Sequence, residues 1–274
     1  MTPQIGIIII GDEILSGKRA DKHLPKVIEV LAARGLPLAY AEYVGDDPAR
    51  ITATLARAFA AARSSGDVVF STGGIGATPD DHTRQCAARA WGVELALHPD
   101  AKRLIEERMR ETAKEQGTVF EPDRHDNLHR LNMGVFPLGA EIIPNPYNKI
   151  PGFTCKAGPG AVHFVPGFPV MAWPMIEWVL DHCHGHLHQT SASIEKSVIV
   201  MGAMEAALTP LMLEIEAAYT GIKVFSLPSV DHPEFGRHIE LGVKGSAEAV
   251  SLAYSALLAG LHQFDLQLGP ELVR

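Results

Sequence analysis

The chain has 274 residues, of which 46% are hydrophobic and 20% charged, a composition typical of a folded globular protein with one large or two ordinary domains. Its net charge of −8 argues against nucleic acid as a partner, because a protein without a basic surface releases few counterions from a polyanion. Its three cysteines are too few for a disulfide framework and favour a cytoplasmic location, and no apolar run reaches the roughly 18 residues that a membrane span needs.

The first part of the chain alternates strand and helix patterns. The continuous apolar run IGIIII (5–10) is typical of a buried strand, and LAYAEYV (38–44) and DVVFST (67–72) also have strand character. Helical spacing over 23–35 and 47–66 separates the three strands. The order strand, helix, strand, helix, strand predicts parallel pairing, with helices on both faces of the sheet.

Less regular patterns follow. Residues 84–92 and 99–117 are interpreted as helices, whereas residues 117–160 are rich in proline, glycine and asparagine and predict long ordered loops. A strand over 161–169 and a helix over 169–184 end this part of the chain.

Two domains are expected. The first, over residues 1–188, is predicted to be a three-layer α/β/α domain with a mostly parallel sheet. From about residue 190 to residue 264 the order becomes strand, helix, strand, strand, helix, which indicates a small α+β domain over residues 189–274.

The stretch STGGIGATPDDHTR, residues 71–84, stands where the third predicted strand ends. Its glycines Gly73, Gly74 and Gly76 form a turn whose unhindered N–H groups suit an oxyanion at the edge where parallel sheets bind ligands. The Thr78 hydroxyl is a further donor. The stretch therefore predicts a phosphate cradle.

Two interpretations of Asp81 stay open. Thr78 and Asp81 fit a capping box of a helix that begins near Pro79, in which case the carboxylate only satisfies its own helix. Alternatively, Asp80 and Asp81 hold a metal, since Mg²⁺ is bound by one or two carboxylates together with phosphate oxygens. Capping does not account for Asp80, so a bridging cation is favoured there.

A second acidic turn, GDEILSG, follows the first predicted strand. It contains Gly11, Asp12, Ser16 and Gly17, and if the first and third strands are neighbours, Asp12 faces the glycine-rich turn. Asp46 in VGDDPARI, after the second strand, is a weaker candidate. The alternative to a binding site is a set of solvated acids at strand exits.

Residues 181–189, DHCHGHLHQ, hold four histidines and Cys183. A structural zinc site takes four ligands in closed tetrahedral geometry, usually from two separated pairs, whereas these residues come from one run. The sequence therefore favours adventitious metal binding here over a physiological site.

Five motifs resemble, in the same order, those of the molybdopterin-binding (MoaB/Mog-type) domain family in its CinA-like (competence/damage-inducible protein A) branch: GDEILSG, VGDDPARI, STGGIGATPDDHTR, PNPYNKIPGF and VPGFPVM. The resemblance covers residues 5 to about 175. Residues 190–264 are similar to the small KH-like α+β domain that accompanies it, and the deamidase domain of full-length relatives is not expected in this chain.

The resemblance implies two activities. CinA-like relatives carry a divalent-metal-dependent pyrophosphatase that acts on ADP-ribose, and molybdenum-cofactor relatives bind molybdopterin and its adenylylated form. We expect the first activity, with Mg²⁺, Mn²⁺ or Co²⁺, a phosphate-bearing small molecule as the partner, and a homodimer. Non-hydrolytic binding of molybdopterin or a nucleotide, or adenylyl transfer, is the alternative.

The same resemblance assigns roles to residues. Asp12, Asp80 and Asp81 would position a metal or activate water, with Asp80 and Asp81 as the expected metal ligands. Phosphate would lie against Gly73, Gly74, Gly76 and Thr78, and Asn145 and Gly152 would line the pocket from the long loop. The remaining candidates for ligand binding are Gly11, Ser16, Gly17 and Asp46.

Overall fold

The computed structural model describes residues 3–188 and 194–274, and the chain divides into two compact units, Met1–His188 and Gln189–Arg274. The strands of the first unit are β1 (Ile5–Ile10), β2 (Tyr40–Val44), β3 (Val68–Thr72), β4 (Leu95–Leu97), β5 (Val135–Pro137), β6 (Glu141–Ile143), β7 (Gly152–Ala157) and β8 (Gly160–Val165). Its helices are α1 (Asp12–Leu15), α2 (His23–Ala32), α3 (Pro48–Ser65), α4 (Thr83–Trp91), α5 (Pro99–Glu115), α6 (His125–Arg130) and α7 (Pro169–Cys183), with 3₁₀ turns at Leu131–Gly134 and Gly185–Leu187.

A six-stranded sheet organises the first unit, in the order β2-β1-β3-β8-β7-β6. The strands β2, β1, β3 and β8 are parallel, whereas β7 and β6 pair antiparallel at one edge. The mostly parallel sheet is therefore confirmed, and the first and third strands are neighbours, with Ile9 opposite Thr72. Because parallel strands end at the same edge of a sheet, the turns after β1, β2 and β3 open together.

Apolar side chains cover both faces of this sheet, which confirms the three-layer prediction. On one face, α3 packs Leu55 against the sheet, where the stacked rings of Phe153 and Phe164 lie 4.4 Å apart. On the other face, α2 and α7 contribute Leu31 and Met175. Each fully buried side chain of this size stabilises the fold by ~1.5–3 kcal/mol.

Two local predictions for the first unit are wrong. Residues 117–160 are not all loop, since they contain α6 and the strands β5, β6 and β7. Each of these strands is bounded by proline or glycine, which obscures the strand pattern. The helix after the glycine-rich turn begins at Thr83 rather than near Pro79, because Pro79 and Asp80 form a turn of their own.

The second unit has its own antiparallel sheet, as the α+β prediction requires. Its elements in chain order are β9 (Ile194–Met201), α8 (Glu205–Ala218), β10 (Lys223–His232), β11 (Gly236–Gly245), α9 (Ala247–Leu261) and β12 (Gln267–Val273). The strand order β10-β11-β9-β12 is that of a ferredoxin-like βαββαβ unit. Apolar residues of α8 and α9, among them Leu208 and Leu257, pack on one face of this sheet.

The predicted elements of the second unit end at residue 264 and so lack β12. Gly269 and Pro270 interrupt its strand pattern, and its pairing with β9 shifts register between Leu268 and Glu271, as at a β-bulge. Because β12 pairs along β9, the first strand of this unit lies inside its sheet. Throughout the described ranges, no helix has both the length and the apolar character that crossing a membrane requires.

Gly152, at the start of β7, tests how tightly the sheet of the first unit packs. A Cβ at this position would lie 2.3 Å from the carbonyl oxygen of Phe164 and 2.8 Å from Cε of Met175. We expect Gly152→Ala to lower the free energy of unfolding by ~1–3 kcal/mol, because an overpacked strand must shift. Denaturant-induced unfolding measures the change. The control is Gly185→Ala, where an added Cβ meets no atom within 4 Å, and an equal loss in both variants would contradict the packing argument.

Candidate functional site

Two carboxylates join the turns after β1 and β2. Oδ1 of Asp12, the first residue of α1, accepts a hydrogen bond from the Asp46 amide at 3.1 Å, and the Asp12 amide donates to Asp46 Oδ2 at 2.8 Å. Gly45 lies against this pair, since a Cβ there would be 2.5 Å from Asp12 Oδ1. Each carboxylate is therefore held through one oxygen at the carboxyl ends of neighbouring strands.

The other candidates of the first acidic turn shape the turn itself. The Gly11 amide donates to the carbonyl oxygen of Val44 at 2.9 Å, which closes the turn onto β2. Gly17 has a φ of 73°, the left-handed conformation that favours glycine. The Ser16 hydroxyl donates to the carbonyl oxygen of Glu13 at 3.4 Å. These contacts fix the path of the chain around α1.

The turn after β3 brings three strand ends together. The Gly73 amide donates to the carbonyl oxygen of Val165 at 3.1 Å, and a Cβ at Gly73 would lie 2.3 Å from the carbonyl oxygen of Ile10. Its φ of 96° also favours glycine. The ends of β1, β3 and β8 thus meet at a residue that has no room for a side chain.

Two residues at the start of α4 donate hydrogen bonds to the carbonyl oxygens of residues 73–76. Thr83 Oγ1 donates to the carbonyl oxygen of Gly73, and the Thr83 amide donates to that of Gly74, at 3.0 Å each. One guanidinium nitrogen of Arg84 donates to the carbonyl oxygens of Ile75 and Gly76. Burial lowers the pKa of Arg84, but arginine keeps its proton at physiological pH. A buried cation therefore lies beneath the glycine-rich turn.

The amides of the same peptides are free. In a trans peptide the N–H points away from the C=O, so carbonyl oxygens that face α4 direct the amides of residues 74–77 to the opposite side. Among the described residues, these four amides have no hydrogen-bond acceptor. Successive amides without an acceptor are groups that suit an anion.

Asp81 closes a turn of its own rather than capping a helix. Its Oδ2 accepts hydrogen bonds from the Thr78 amide at 2.8 Å and from Thr78 Oγ1 at 2.5 Å. The amide contact is that of a capping box, but the helix begins only at Thr83. Gly76 lies beside the carboxylate, since a Cβ there would be 2.6 Å from Asp81 Oδ2. The hydroxyl expected to donate to a phosphate thus donates to Asp81.

Four carboxylates influence one another around this turn. Burial raises the pKa of Asp46, and the negative charges of Asp12, Asp80 and Asp81 raise it further. Asp80 is exposed, and hydrogen bonding within its own turn lowers its pKa. We call these four residues the acidic cluster. A cation bound among them would relieve their repulsion.

The acidic cluster is not a complete metal site by itself. Within residues 3–188 and 194–274, no three acidic, histidine or cysteine side chains are arranged to hold a metal ion. The donor chemistry nevertheless fits Mg²⁺, which is commonly bound by one or two carboxylates, with substrate phosphate oxygens and water as the remaining ligands. Asp12 and Asp81 each have a second carboxylate oxygen outside the contacts described above.

A cavity of about 610 Å³ opens beside Asp12, along β2 and α3. Its lining includes the exposed side chains of Leu15 and Tyr43 and the guanidinium groups of Arg50 and Arg57. Arg57 forms an ion pair of 2.6 Å with a glutamate of the cavity wall, whereas the Arg50 guanidinium has no acceptor in the part of the chain that the structure describes. The cavity thus combines apolar surface with the unpaired guanidinium group of Arg50, and its volume lies within the range of small-molecule sites.

The structure does not bring Asn145 and Gly152 to this cavity. The buried Asn145 side chain donates to Asn148 Oδ1 at 2.8 Å and to the carbonyl oxygen of Ile150 at 2.9 Å, within its own loop. Gly152 packs against Phe164, as described above, and neither residue belongs to the cavity lining. Their contacts are those of loop and sheet packing.

Three residues that organise the site are missing from the sequence-based candidates: Thr83, Arg84 and Gly45. The first two end the motif STGGIGATPDDHTR, and the signal for them is a hydroxyl and a long cation in the first helical turn after a glycine-rich loop. Gly45 precedes the aspartates of VGDDPARI, and its need for glycine becomes visible only from the position of Asp12.

Comparison with known proteins is consistent with this geometry. Residues 6–185 match the family described as "Probable molybdopterin binding domain". A CinA-like protein of Anaeromyxobacter dehalogenans is 31% identical over 223 residues, which cover 80% of this chain and 51% of that protein. A protein of Pyrobaculum arsenaticum is 29% identical over 249 residues, covering 90% of this chain and 89% of that one. The chain thus spans about half the length of the CinA-like relatives.

One solved structure supports the fold of the first unit. The protein CinA with unknown function from Thermoplasma acidophilum superposes with a TM-score of 0.54 at 25% identity. The match covers 65% of this chain and 97% of that one.

Arg84 offers a test of how the glycine-rich turn is held. We expect Arg84→Met to lower the free energy of unfolding by ~1–3 kcal/mol, because carbonyl oxygens beneath the turn lose their donor. Amide hydrogen exchange should also become faster in residues 73–77. Arg89→Met, on the exposed side of the same helix, is the matched control. If the two variants have the same stability, Arg84 does not hold the turn.

Asp46 links the acidic cluster to stability. Because its pKa is raised in the folded state, its ionised form is disfavoured there, and the cost appears as pH rises from the ordinary value of 3.8 through the raised pKa. We expect Asp46→Asn to melt at a higher temperature than wild type at pH 7, with the difference vanishing in acid. Thermal unfolding across pH measures this. Asp265→Asn, in the second unit and exposed, controls for the lost charge, and a less stable Asp46→Asn at pH 7 would refute the argument.

Proposed function

Because the chain belongs to the molybdopterin-binding domain family, we propose that it is a divalent-metal-dependent pyrophosphatase that hydrolyses ADP-ribose or a related nucleoside diphosphate conjugate. The observation that carries this proposal is the glycine-rich turn, whose free amides lie next to the acidic cluster. Amides bind phosphate oxygens, whereas carboxylates tolerate a phosphate only with a cation between them. A phosphate bound together with a divalent metal satisfies both sets of groups.

Each group then has a role in the hydrolysis. The amides of residues 74–77 bind the oxygens of one phosphate and stabilise the charge that develops on them. Asp12 and Asp81 would hold the cation, and Asp80, on the exposed side, would orient water. When bound, the cation neutralises phosphate charge and lowers the pKa of a bound water. Asp46 suits the proton acceptor better than Asp80, because its pKa is raised rather than lowered.

The cavity beside Asp12 suits the remainder of the substrate. A nucleoside diphosphate conjugate has a second phosphate and an aromatic base beyond the phosphate at the turn. Leu15 and Tyr43 offer apolar surface to a ring, and Arg50 offers an unpaired guanidinium to a phosphate. Because Asp12 belongs to both the cavity and the acidic cluster, one substrate can occupy the two together.

The second candidate is non-hydrolytic binding of molybdopterin or a nucleotide, or adenylyl transfer in molybdenum-cofactor biosynthesis. The description of the matched family favours it. Molybdopterin also carries a phosphate beside a polar ring, so it would use the same amides and the same cavity. The two candidates therefore differ in turnover rather than in the groups that bind.

The decisive experiment incubates the purified chain with ADP-ribose and Mg²⁺, Mn²⁺ or Co²⁺ in turn and follows AMP. We expect AMP release with at least one metal, and a loss of ~10²-fold or more in kcat/KM for Asp12→Asn and for Asp81→Asn, because each removes a charge that holds the cation. Asp265→Asn is the control and should keep wild-type activity.

The outcome distinguishes the two candidates. No AMP with any of the three metals would rule out the pyrophosphatase. Molybdopterin binding without turnover, lost on Gly73→Val, would then establish the second candidate. A substitution at Gly73 suits this purpose, because a side chain there meets the carbonyl oxygen of Ile10 and distorts the turn.

Arg50 tests the use of the cavity. We expect Arg50→Ala to raise KM for ADP-ribose about tenfold with kcat nearly unchanged, because a charge-assisted hydrogen bond to phosphate contributes ~1.5 kcal/mol or more to binding. Steady-state kinetics measures both constants. Arg89→Ala should leave both unchanged, since that side chain lies on α4 and outside the cavity lining. An unchanged KM in Arg50→Ala would mean that the substrate does not reach the cavity.

A further inference from the structure

The carbonyl oxygens of the glycine-rich turn accept hydrogen bonds at five successive residues. Those of residues 73–76 are held by Thr83 and Arg84, as described above. The fifth, that of Ala77, accepts a hydrogen bond of 2.9 Å from Nε2 of His129, which lies 52 residues further along the chain on α6. The last peptide of the turn is therefore held by a different element from the one that holds the first four.

Both nitrogens of the His129 ring have a partner. A carbonyl oxygen only accepts hydrogen bonds, so the contact with Ala77 requires a proton on Nε2. Nδ2 of Asn132, in the 3₁₀ turn after α6, lies 3.3 Å from Nδ1 of the same ring and can donate to it. The exposed ring of His129 is thus oriented through both of its nitrogens.

The peptide that His129 holds also contacts Asp81. Its carbonyl oxygen belongs to Ala77 and its N–H to Thr78, and this N–H donates to Asp81 Oδ2 at 2.8 Å. The four preceding peptides differ, because the amides of residues 74–77 have no acceptor among the described residues. Hydrogen bonds in a chain polarise one another, so a donor at the oxygen strengthens the bond that the N–H makes. His129, the peptide and Asp81 form such a chain.

We propose that His129 is a positioning residue for Asp81, acting through the peptide between Ala77 and Thr78. Both contacts of Asp81 with Thr78 use Oδ2, so the chain from His129 fixes the direction in which Oδ1 points. Residues that orient a metal ligand in this way commonly affect metal affinity as strongly as the ligand geometry itself. That Asp81 ligates a cation rests on the proposed function, whereas the hold of His129 on the peptide does not.

α6 is fixed by contacts of its own, outside the glycine-rich turn. The buried side chain of Asn127 donates to the carbonyl oxygen of Glu121 at 2.7 Å, which closes the loop before the helix. After the helix, Gly134 packs on α5, since a Cβ there would lie 3.0 Å from Cβ of Ala101. His129 therefore donates from an element that is anchored independently of the peptide it holds.

Two conservative variants separate the hydrogen bond from the bulk of the ring. The side-chain amide nitrogen in His129→Gln can take the place of Nε2, whereas the shorter side chain in His129→Asn cannot reach the carbonyl oxygen of Ala77. His125→Gln, exposed at the start of the same helix, is the matched control.

Amide hydrogen exchange of the full chain, followed by NMR without metal or substrate, tests the hold on the peptide. We expect the Thr78 amide to exchange about tenfold faster in His129→Asn than in wild type, because the peptide loses the donor at its oxygen. The rate should return close to that of wild type in His129→Gln and stay unchanged in His125→Gln. Equal rates in wild type and His129→Asn would overturn the proposal, whether or not the chain is a pyrophosphatase.

Binding of Mn²⁺ tests the consequence for Asp81. The ion alone is added to the full chain, and the electron paramagnetic resonance signal of free Mn²⁺ gives the affinity. We expect binding about 3–10-fold weaker in His129→Asn and nearly restored in His129→Gln, with Asp81→Asn marking the full loss. In hydrolysis of ADP-ribose, the Mn²⁺ concentration for half-maximal rate should rise by the same factor, with kcat at saturating Mn²⁺ nearly unchanged.

The outcomes separate this proposal from the proposed function. Faster exchange at Thr78 with unchanged Mn²⁺ affinity would mean that His129 only holds the chain, and the proposal would be wrong. A wild type that releases no AMP, yet binds Mn²⁺ more tightly than His129→Asn does, would refute the pyrophosphatase and retain the role of His129. A wild type that binds no Mn²⁺ would overturn both.

Discussion

The hydrogen bonds from the start of α4 to the carbonyl oxygens of residues 73–76 determine what the candidate site presents to a ligand. A buried arginine below a phosphate site could pair with the phosphate itself. Arg84 instead pairs with backbone oxygens, and charge-assisted bonds of this kind are about twice as strong as neutral ones. A bound anion would therefore contact the backbone amides. The Arg84 guanidinium lies on the other side of the turn and orients the peptides through their carbonyl oxygens. The arrangement depends on α4 beginning at Thr83, because an earlier start would carry both donors away from the turn.

Close packing against glycine positions the carboxylates as well as the turn. The Asp12 carboxylate packs against Gly45, and the Asp81 carboxylate packs against Gly76. A side chain at either glycine would occupy the space of the carboxylate, so both positions require glycine. The repulsion that results within the acidic cluster is a cost to the folded state, and such costs are common where a site is built for a ligand rather than for stability. A cation bound among these carboxylates would relieve that repulsion.

Features that depend on local chemistry are predictable from the sequence. The apolar run of β1, the glycine-rich turn and the Asp47 cap of α3 each have a signature of a few residues, and the mostly parallel pairing follows from the alternation of strands and helices. Features that depend on distant contacts are not. The role of Arg84 requires the exact start of a helix, and the contact of His129 with Ala77 requires α6 to lie beside the glycine-rich turn. Proline and glycine also hide strands, as in β7 and β12, because they interrupt the patterns by which strands are recognised.

The paired hydrogen bonds between Asp12 and Asp46 have a thermodynamic consequence. They fasten the turn after β1 to the turn after β2 in both directions, so a displacement of one carboxylate is transmitted to the other. Asp12 also lines the cavity that contains Arg50. If a ligand binds in the cavity and a cation in the acidic cluster, as proposed above, the two occupancies would be linked through Asp12. Linkage is reciprocal, so whatever factor a cation contributes to the affinity for a ligand, the ligand contributes equally to the affinity for the cation.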